Sequence, residues 1–228
     1  MKKKTLDEIF NQYQTDKGSA CKDCHNYAPV YSALFEPLRF LDIKLLEVGV
    51  RYGNSLLSWH EYFPNASIYA AETYAAHNDE LFRDKPRIKI YLGDATQEGL
   101  VSESGFNIII DDADHALSTQ ISLLETLWDK LLPGGFYVIE DLFVGEMPWG
   151  GFASEEYYQN EIDYNGHHSA SDAAYIPKRP HDQPFLNRRR LPESIIRILD
   201  ENMHFFTITS VGKGGSLHMM LVIRRTKV

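Results

Sequence analysis

Two short apolar runs constrain this chain more than any other feature, because each ends abruptly in carboxylates. They are Phe106-Asn-Ile-Ile-Ile-Asp111-Asp112-Ala-Asp114-His115 and Pro133-Gly134-Gly135-Phe-Tyr-Val-Ile-Glu140-Asp141. A run without alternation suits a strand buried on both faces. One helical segment separates the two runs, so strand, helix and strand form a crossover unit with parallel strands. Both sets of acids then lie at the C-terminal edge of the sheet, where ligands of open α/β sheets bind. Acids gathered at one edge repel unless a cation or a positively charged ligand sits among them.

The rest of the chain extends the pattern. Thr5 to Tyr13 reads as a short amphipathic helix with Leu6, Ile9, Phe10 and Tyr13 on one face, and Thr15-Asp-Lys-Gly18 breaks it. A second helix is expected from about Pro29 to Phe40, on a stripe of Tyr31, Leu34, Phe35 and Leu38. Lys44-Leu-Leu-Glu47-Val-Gly49-Val-Arg-Tyr-Gly53-Asn-Ser55 reads as strand, glycine turn and helix. Glycines there let the backbone approach a ligand beside free helix N–H groups, although two glycines four apart also suit an ordinary turn. Ser67 to Glu72 and Arg87 to Asp94 are two further strands ending in acids. Glu72 stands twenty-five residues after Glu47, near the spacing that places a carboxylate on ribose hydroxyls. For Asp94 two readings stand, contact with an adenine edge or capping of a helix that starts near Thr96.

Ala116 to Leu131 is the expected crossover helix, with Leu123, Leu124, Leu127 and Leu131 facing the sheet. From Leu142 to Arg190 periodicity dissolves into Gly, Pro, Tyr and His, a stretch too long for a simple connection and read as a lid or substrate-binding insertion. A helix from about Pro192 to Glu201 follows, and then strands His204–Gly212 and Ser216–Arg225 joined by Lys213-Gly-Gly215, a hairpin signal. The expected fold is α/β, a doubly wound and mostly parallel sheet closed by an antiparallel hairpin. With 228 residues and 43% hydrophobic composition, one domain spanning 1–228 is the default. A formal charge of −9 argues against a nucleic-acid partner. No apolar stretch approaches membrane-spanning length and the first ten residues carry no secretory signal, so a cytoplasmic protein is expected. Cys21-Lys-Asp-Cys24-His25 matches the pattern for covalent haem attachment, yet the two cysteines read foremost as incidental thiols, ahead of a metal site or a disulfide.

The order of elements and the acid at each strand end resemble a class I S-adenosylmethionine-dependent methyltransferase. The local motifs are most similar to the metal-dependent sugar O-methyltransferases of antibiotic pathways. They are Thr15-Asp-Lys17 with His25-Asn-Tyr27 and Tyr31; Leu46-Glu47-Val-Gly49 with Gly53; Ser55-Leu-Leu-Ser-Trp59; Asp111-Asp112-Ala-Asp114-His115; and Ile139-Glu140-Asp141. The resemblance implies metal ligands at Asp112, Glu140 and Asp141 and a base at His115. It implies cofactor contacts from Thr15, Lys17, Tyr27, Glu47, Gly49, Gly53, Ser55, Glu72, Asp94 and Asp111, with the helices of residues 1–40 covering the cofactor. Arg51 departs from the family where the middle glycine of the cofactor turn is usual, and Glu72 departs where aspartate is commoner.

Methyl transfer from a sulfonium needs an acceptor oxygen aligned behind the carbon, and Mg²⁺ held by carboxylates makes such an oxygen nucleophilic. The implied activity is therefore S-adenosylmethionine-dependent, Mg²⁺-assisted O-methylation of a small-molecule hydroxyl, with a sugar favoured. Trp149, Tyr164, His167 and His168 of the insertion are the candidate acceptor contacts. Two rival readings are a methyltransferase-fold protein that binds the cofactor without methylating and an NAD-type dehydrogenase. Neither a nucleic-acid nor a membrane partner is expected, and homo-oligomerisation is left open.

Overall fold

A computed structural model describes residues 3–20, 24–74, 79–142, 191–211 and 217–226. Helix α1 (Leu6–Tyr13) starts at a capping box in which the Thr5 hydroxyl accepts from the Glu8 amide and the Glu8 carboxylate accepts from the Thr5 amide. Leu6, Ile9 and Phe10 bury its inner face. Helix α2 (Ala28–Phe35) is shorter than its apolar stripe suggests. Glu36 keeps helical backbone, but Pro37 supplies no amide to continue the helical ladder, so the chain tightens into a 3₁₀ turn at Glu36–Leu38 and Phe40 is exposed.

Strand β1 (Lys44–Val48), helix α3 (Asn54–Tyr62), strand β2 (Ser67–Glu72) and strand β3 (Ile88–Leu92) build one half of the sheet. Strand β4 (Phe106–Asp111), helix α4 (Leu117–Leu127) and strand β5 (Leu131–Ile139) start the other half. Leu131 belongs to β5 and not to the crossover helix, which ends in a 3₁₀ turn at Trp128–Lys130. The β4–β5 register shifts between Phe106 and Ile108, beside Pro133 and a left-handed Gly134, so the apolar run resumes only at Phe136. Helix α5 (Glu193–Glu201) and the antiparallel strands β6 (Met203–Val211) and β7 (Leu217–Arg224) close the fold.

The seven strands are ordered β3-β2-β1-β4-β5-β7-β6, with β1 to β5 parallel and β7 antiparallel to both neighbours. Strand order reverses direction at β1 and β4, the position at which such sheets bind ligands. Successive residues of the buried strands serve two cores. Leu46, Val48, Ile109 and Ile139 pack towards α4 and α5, while Leu45, Ile108, Ile110 and Val138 pack towards α1, α2 and α3. An aromatic cluster fills the second core, where Trp59 meets Phe10 and Tyr31 edge-on at centroid separations of 5.0 and 5.2 Å. Among the described residues no helix is long and apolar enough to cross a membrane. Apart from Leu142, the expected insertion at 142–190 lies outside the described residues, and with it Trp149, Tyr164, His167 and His168.

Candidate active site

The two-residue period of a strand decides where each terminal acid points. Glu47 shares the face of Leu45, and Glu140 shares that of Val138, so both turn towards the N-terminal helical layer. Lys17 meets them there, fully buried, with its Nζ 2.5 Å from Asp112 Oδ2, 2.6 Å from Glu140 Oε2 and 3.7 Å from Glu47 Oε1. Ser55 Oγ donates to Glu47 Oε2 at 2.8 Å, and the Tyr31 hydroxyl donates to Glu140 Oε1. Burial alone would lower the Lys17 pKa, but Asp112, Glu140 and Glu47 hold it well above the usual lysine range. Burial pushes the carboxyls the other way: Glu47 is raised to about 7, Asp112 is raised despite Lys17, and Glu140 is raised well above its ordinary value. Asp111 faces the opposite core, where burial raises it to about 7, with Ala113 N 3.4 Å from Oδ1.

Asp141 sits just past β5 and is the hub of the site. Its Oδ1 accepts from the Tyr27 hydroxyl at 2.5 Å and lies 3.1 Å from His25 Nδ1 and 3.7 Å from His218 Nδ1. Its Oδ2 is 3.7 Å from His115 Nε2. Burial would raise Asp141, but His218, His25 and Tyr27 hold it well below the usual carboxylate range. Burial would lower His25, yet its bond to Asp141 raises it. His115 and Asp141 both have left-handed backbone, at φ 63 and 50, a conformation that side-chain-bearing residues adopt at a cost and often at functional sites. One ligand atom from each of Asp112, His115 and Asp141 lies within 4.8 Å of the other two, a spacing that suits one cation.

Beside this centre the β1–α3 turn, the end of β2 and the turn after β3 line one pocket of about 870 Å³, the size of a small-molecule site. Its wall includes Thr15, Lys17, His25, Gly49, Ser55, Glu72, Asp94, Asp112, His115 and Asp141. Gly49 has φ 95, and a Cβ there would lie 2.0 Å from the Asp112 carbonyl oxygen, so no other residue fits at this crossing of β1 and β4. Glu72 Oε2 accepts from the Val50 and Arg51 amides at 3.0 and 3.1 Å, so it braces the glycine turn as well as lining the pocket. Arg51, in the same turn, takes the left-handed φ of 49. No helix starts near Thr96: Asp94 Oδ1 accepts from the Thr96 amide and hydroxyl at 2.9 and 2.7 Å and closes a turn.

The residues expected from sequence thus divide into three groups. Thr15, Lys17, Gly49, Ser55, Glu72, Asp94, Asp112, His115 and Asp141 share the pocket wall. Glu47, Asp111, Tyr27 and Glu140 lie just behind it as buried supports, and Glu140 has both oxygens engaged, by Lys17 and by Tyr31. Gly53 caps α3 at φ 82 against Phe82. Sequence reasoning missed His218, which only the β5–β7 pairing brings to Asp141, where the Leu142 amide donates to the Met219 carbonyl. The thiol reading of the cysteines is corrected: Cys24 is disulfide-bonded, and Cys21 is the one other cysteine of the sequence.

No protein-family description matches the chain. Its curated relatives are named as O-methyltransferases. One, from Streptomyces olivaceus, is 8-demethyl-8-(2-methoxy-alpha-L-rhamnosyl)-tetracenomycin-C 3'-O-methyltransferase, 33% identical over 143 residues, 57% of this chain and 36% of the relative. Demethylmacrocin O-methyltransferase of Streptomyces fradiae is 28% identical over 67% of this chain and 40% of its own. Mycinamicin VI 2''-O-methyltransferase of Micromonospora griseorubida is 29% identical over 68% and 39%. The chain therefore spans about two fifths of the length of the curated relatives it matches. Among solved structures, a methyltransferase of the mycinamycin biosynthetic pathway, in complex with Mg and SAH, superposes with a TM-score of 0.63 at 22% identity, covering 99% of this chain and 56% of that one. A putative O-methyltransferase from Klebsiella pneumoniae gives 0.52 at 15% identity, covering 99% and 91%. The fold is the Rossmann-like methyltransferase fold, mostly parallel with an antiparallel C-terminal pair.

Proposed function

We propose that the chain is an S-adenosylmethionine-dependent, divalent-metal-assisted O-methyltransferase that acts on a small-molecule hydroxyl, a sugar hydroxyl foremost. One observation carries this reading: a single pocket joins the glycine turn and Glu72 to the Asp112–His115–Asp141 centre. The curated relatives support the sugar, since one is named for a rhamnosyl tetracenomycin and another for L-olivosyl-oleandolide.

The residues fit both groups. Glu72, Thr73 and Asp94 offer carboxylate and hydroxyl contacts at the nucleoside end of the pocket, and the acid excess at the other end suits a sulfonium. Asp112 and Asp141 turn oxygens into the pocket for a divalent cation. Glu140, engaged by Lys17 and Tyr31, stands beside Asp112 and Asp141 as the third carboxylate of the implied set. When bound, S-adenosylmethionine supplies the methyl electrophile and the cation lowers the pKa of the acceptor hydroxyl. His115 then accepts the hydroxyl proton at its imidazole, held beside Asp141. Tyr27 and His25 hold Asp141 ionised and aimed, and the buried lysine keeps the neighbouring acids from repelling one another.

The test has two stages. Thermal shifts with S-adenosylmethionine, SAH and NAD should show stabilisation by the first two alone. Methyl-labelled S-adenosylmethionine should then transfer label to a deoxysugar-bearing macrolide in the presence of Mg²⁺ or Mn²⁺. Stabilisation by NAD without S-adenosylmethionine would replace this reading by a dehydrogenase. Cofactor binding without transfer to any hydroxyl acceptor would leave a binding protein.

A further inference from the structure

The carboxylate of Asp141 has two faces, and the chemistry proposed above uses the Oδ2 face towards His115 and Asp112. On the Oδ1 face two imidazoles converge, His25 from the segment before α2 and His218 from β7. Their rings stack at a centroid separation of 4.0 Å and an interplanar angle of 21°, with both Nδ1 atoms turned to one oxygen. That oxygen already accepts the Tyr27 hydroxyl, so three donors compete for two lone pairs. Two imidazole nitrogens and a carboxylate oxygen gathered within 4.8 Å of one another suit a metal ion.

The pair is built rather than incidental. The Thr209 hydroxyl lies 2.7 Å from the His25 carbonyl and 3.2 Å from the His218 carbonyl, which ties the two distant segments together at the point where the rings meet. The His25 amide donates to the Asp16 carbonyl at 2.8 Å, and the neighbouring Cys24 is covalently closed in a disulfide. Ligand atoms of a tetrahedral ion with bonds near 2.0 Å stand roughly 3.3 Å apart. The His25–Asp141 separation of 3.1 Å meets that spacing, and the His218–Asp141 separation of 3.7 Å needs a shift of a few tenths of an ångström.

We propose that His25, His218 and Asp141 form a site for a borderline divalent transition metal of the zinc and cobalt kind, on the face of Asp141 opposite Asp112 and His115. Two imidazoles and one carboxylate favour such ions over Mg²⁺, which prefers an all-oxygen shell. His25 and Asp141 both line the pocket, so the ion keeps an open position towards it. The inference needs no methyltransferase activity.

The test uses the full chain stripped by a chelator and titrated with Co²⁺, read by visible absorption, with Zn²⁺ and Mg²⁺ as competitors. Co²⁺ held at the Asp112 centre should exchange with Mg²⁺, whereas one Co²⁺ per chain should resist Mg²⁺ in large excess and yield to Zn²⁺. His218→Ala should weaken it by at least about 10-fold, the lower end of the loss from removing even an outer-shell partner. Asp112→Asn should leave it in place. Equal affinity of the Mg²⁺-resistant Co²⁺ in the wild type and His218→Ala, or displacement of all bound Co²⁺ by Mg²⁺, would overturn the proposal. Should His218→Ala fail the check of its fold by circular dichroism, X-ray absorption at the zinc edge of the unmutated protein decides: imidazole scattering supports the site, and an all-oxygen shell rejects it.

Discussion

Lys17 brings an ammonium to a place that already holds Glu47, Asp112 and Glu140, and each of those acids is costly to ionise without it. Lys17→Met should therefore lower stability by about 3–5 kcal/mol, the loss typical of removing one partner from a buried ionic group. Millimolar Mn²⁺ should restore more stability in the variant than it adds to the wild type, because the vacated acid bed admits a cation. Denaturant midpoints with and without the ion measure both effects, and an undiminished midpoint for Lys17→Met would refute the electrostatic account. Glu47 gives a pH test with a definite sign. Its folded pKa of about 7 lies above its ordinary 4.5, so its contribution is full below about 4.5 and is lost as pH rises to about 7. Glu47→Gln stays neutral at every pH. The variant should gain on the wild type across that window, by about 3 kcal/mol at most, and the difference should level off above pH 7. Thermal unfolding at several pH values reads it; a constant difference would show that Glu47 keeps its ordinary pKa. At the reacting centre, His115→Ala should cost on the order of 10²–10⁴ in methyl-transfer rate with cofactor affinity unchanged, the usual range for a positioned base.

At the level of single elements, the helix easiest to read from sequence leads into a residue whose partners could not be read from it. The i, i+3, i+4 spacing of Leu6, Ile9, Phe10 and Tyr13 and the capping box define α1 without reference to any partner. Lys17 follows four residues after its end, and nothing in that spacing says that its ammonium reaches acids 95 and 123 residues away. Boundaries failed where a local breaker competed with the apolar stripe: Pro37 shortened α2, and the Pro133-Gly134 irregularity drew Leu131 into β5. The strand-end acids were legible as a set, and their facing follows from the two-residue period. Because α1 docks through Phe10 edge-on to Trp59 and Tyr31, Phe10→Ala should destabilise the protein by about 3–5 kcal/mol. It should also weaken S-adenosylmethionine binding at a distance, since Thr15 and Lys17 are placed by the end of that helix. Calorimetry at a temperature where the variant is still folded separates the two effects, and unaltered affinity would mean that the 15–17 segment is positioned by its acid partners alone.

Across the whole molecule, the N-terminal layer is fastened to the C-terminal edge of the sheet by polar contacts from one short segment. Lys17 holds Asp112 and Glu140, while His25, Tyr27 and Tyr31 hold Asp141 and Glu140. The sequence showed the parallel sheet, its closing hairpin and the edge at which the pocket lies, because each of those follows from local runs and turn residues. It did not show that β7 lies against β5, which is a property of the sheet order, and so it did not show His218 at Asp141. These fastenings lie across the pocket wall that Thr15, Lys17 and His25 help to form. A ligand that fills the pocket must therefore enter while the segment is loosened and hold it once it closes, in the manner of a lid. Amide hydrogen exchange over residues 15–20 and 24–31 should slow when S-adenosylmethionine binds, whereas amides of β1 and β4, already protected in the sheet core, should change little. Tyr27→Phe removes one fastening to Asp141 and should speed exchange in the same segment of the unliganded protein. Identical exchange with and without the cofactor, in wild type and Tyr27→Phe alike, would show a fixed wall through which ligands enter from the open side of β3.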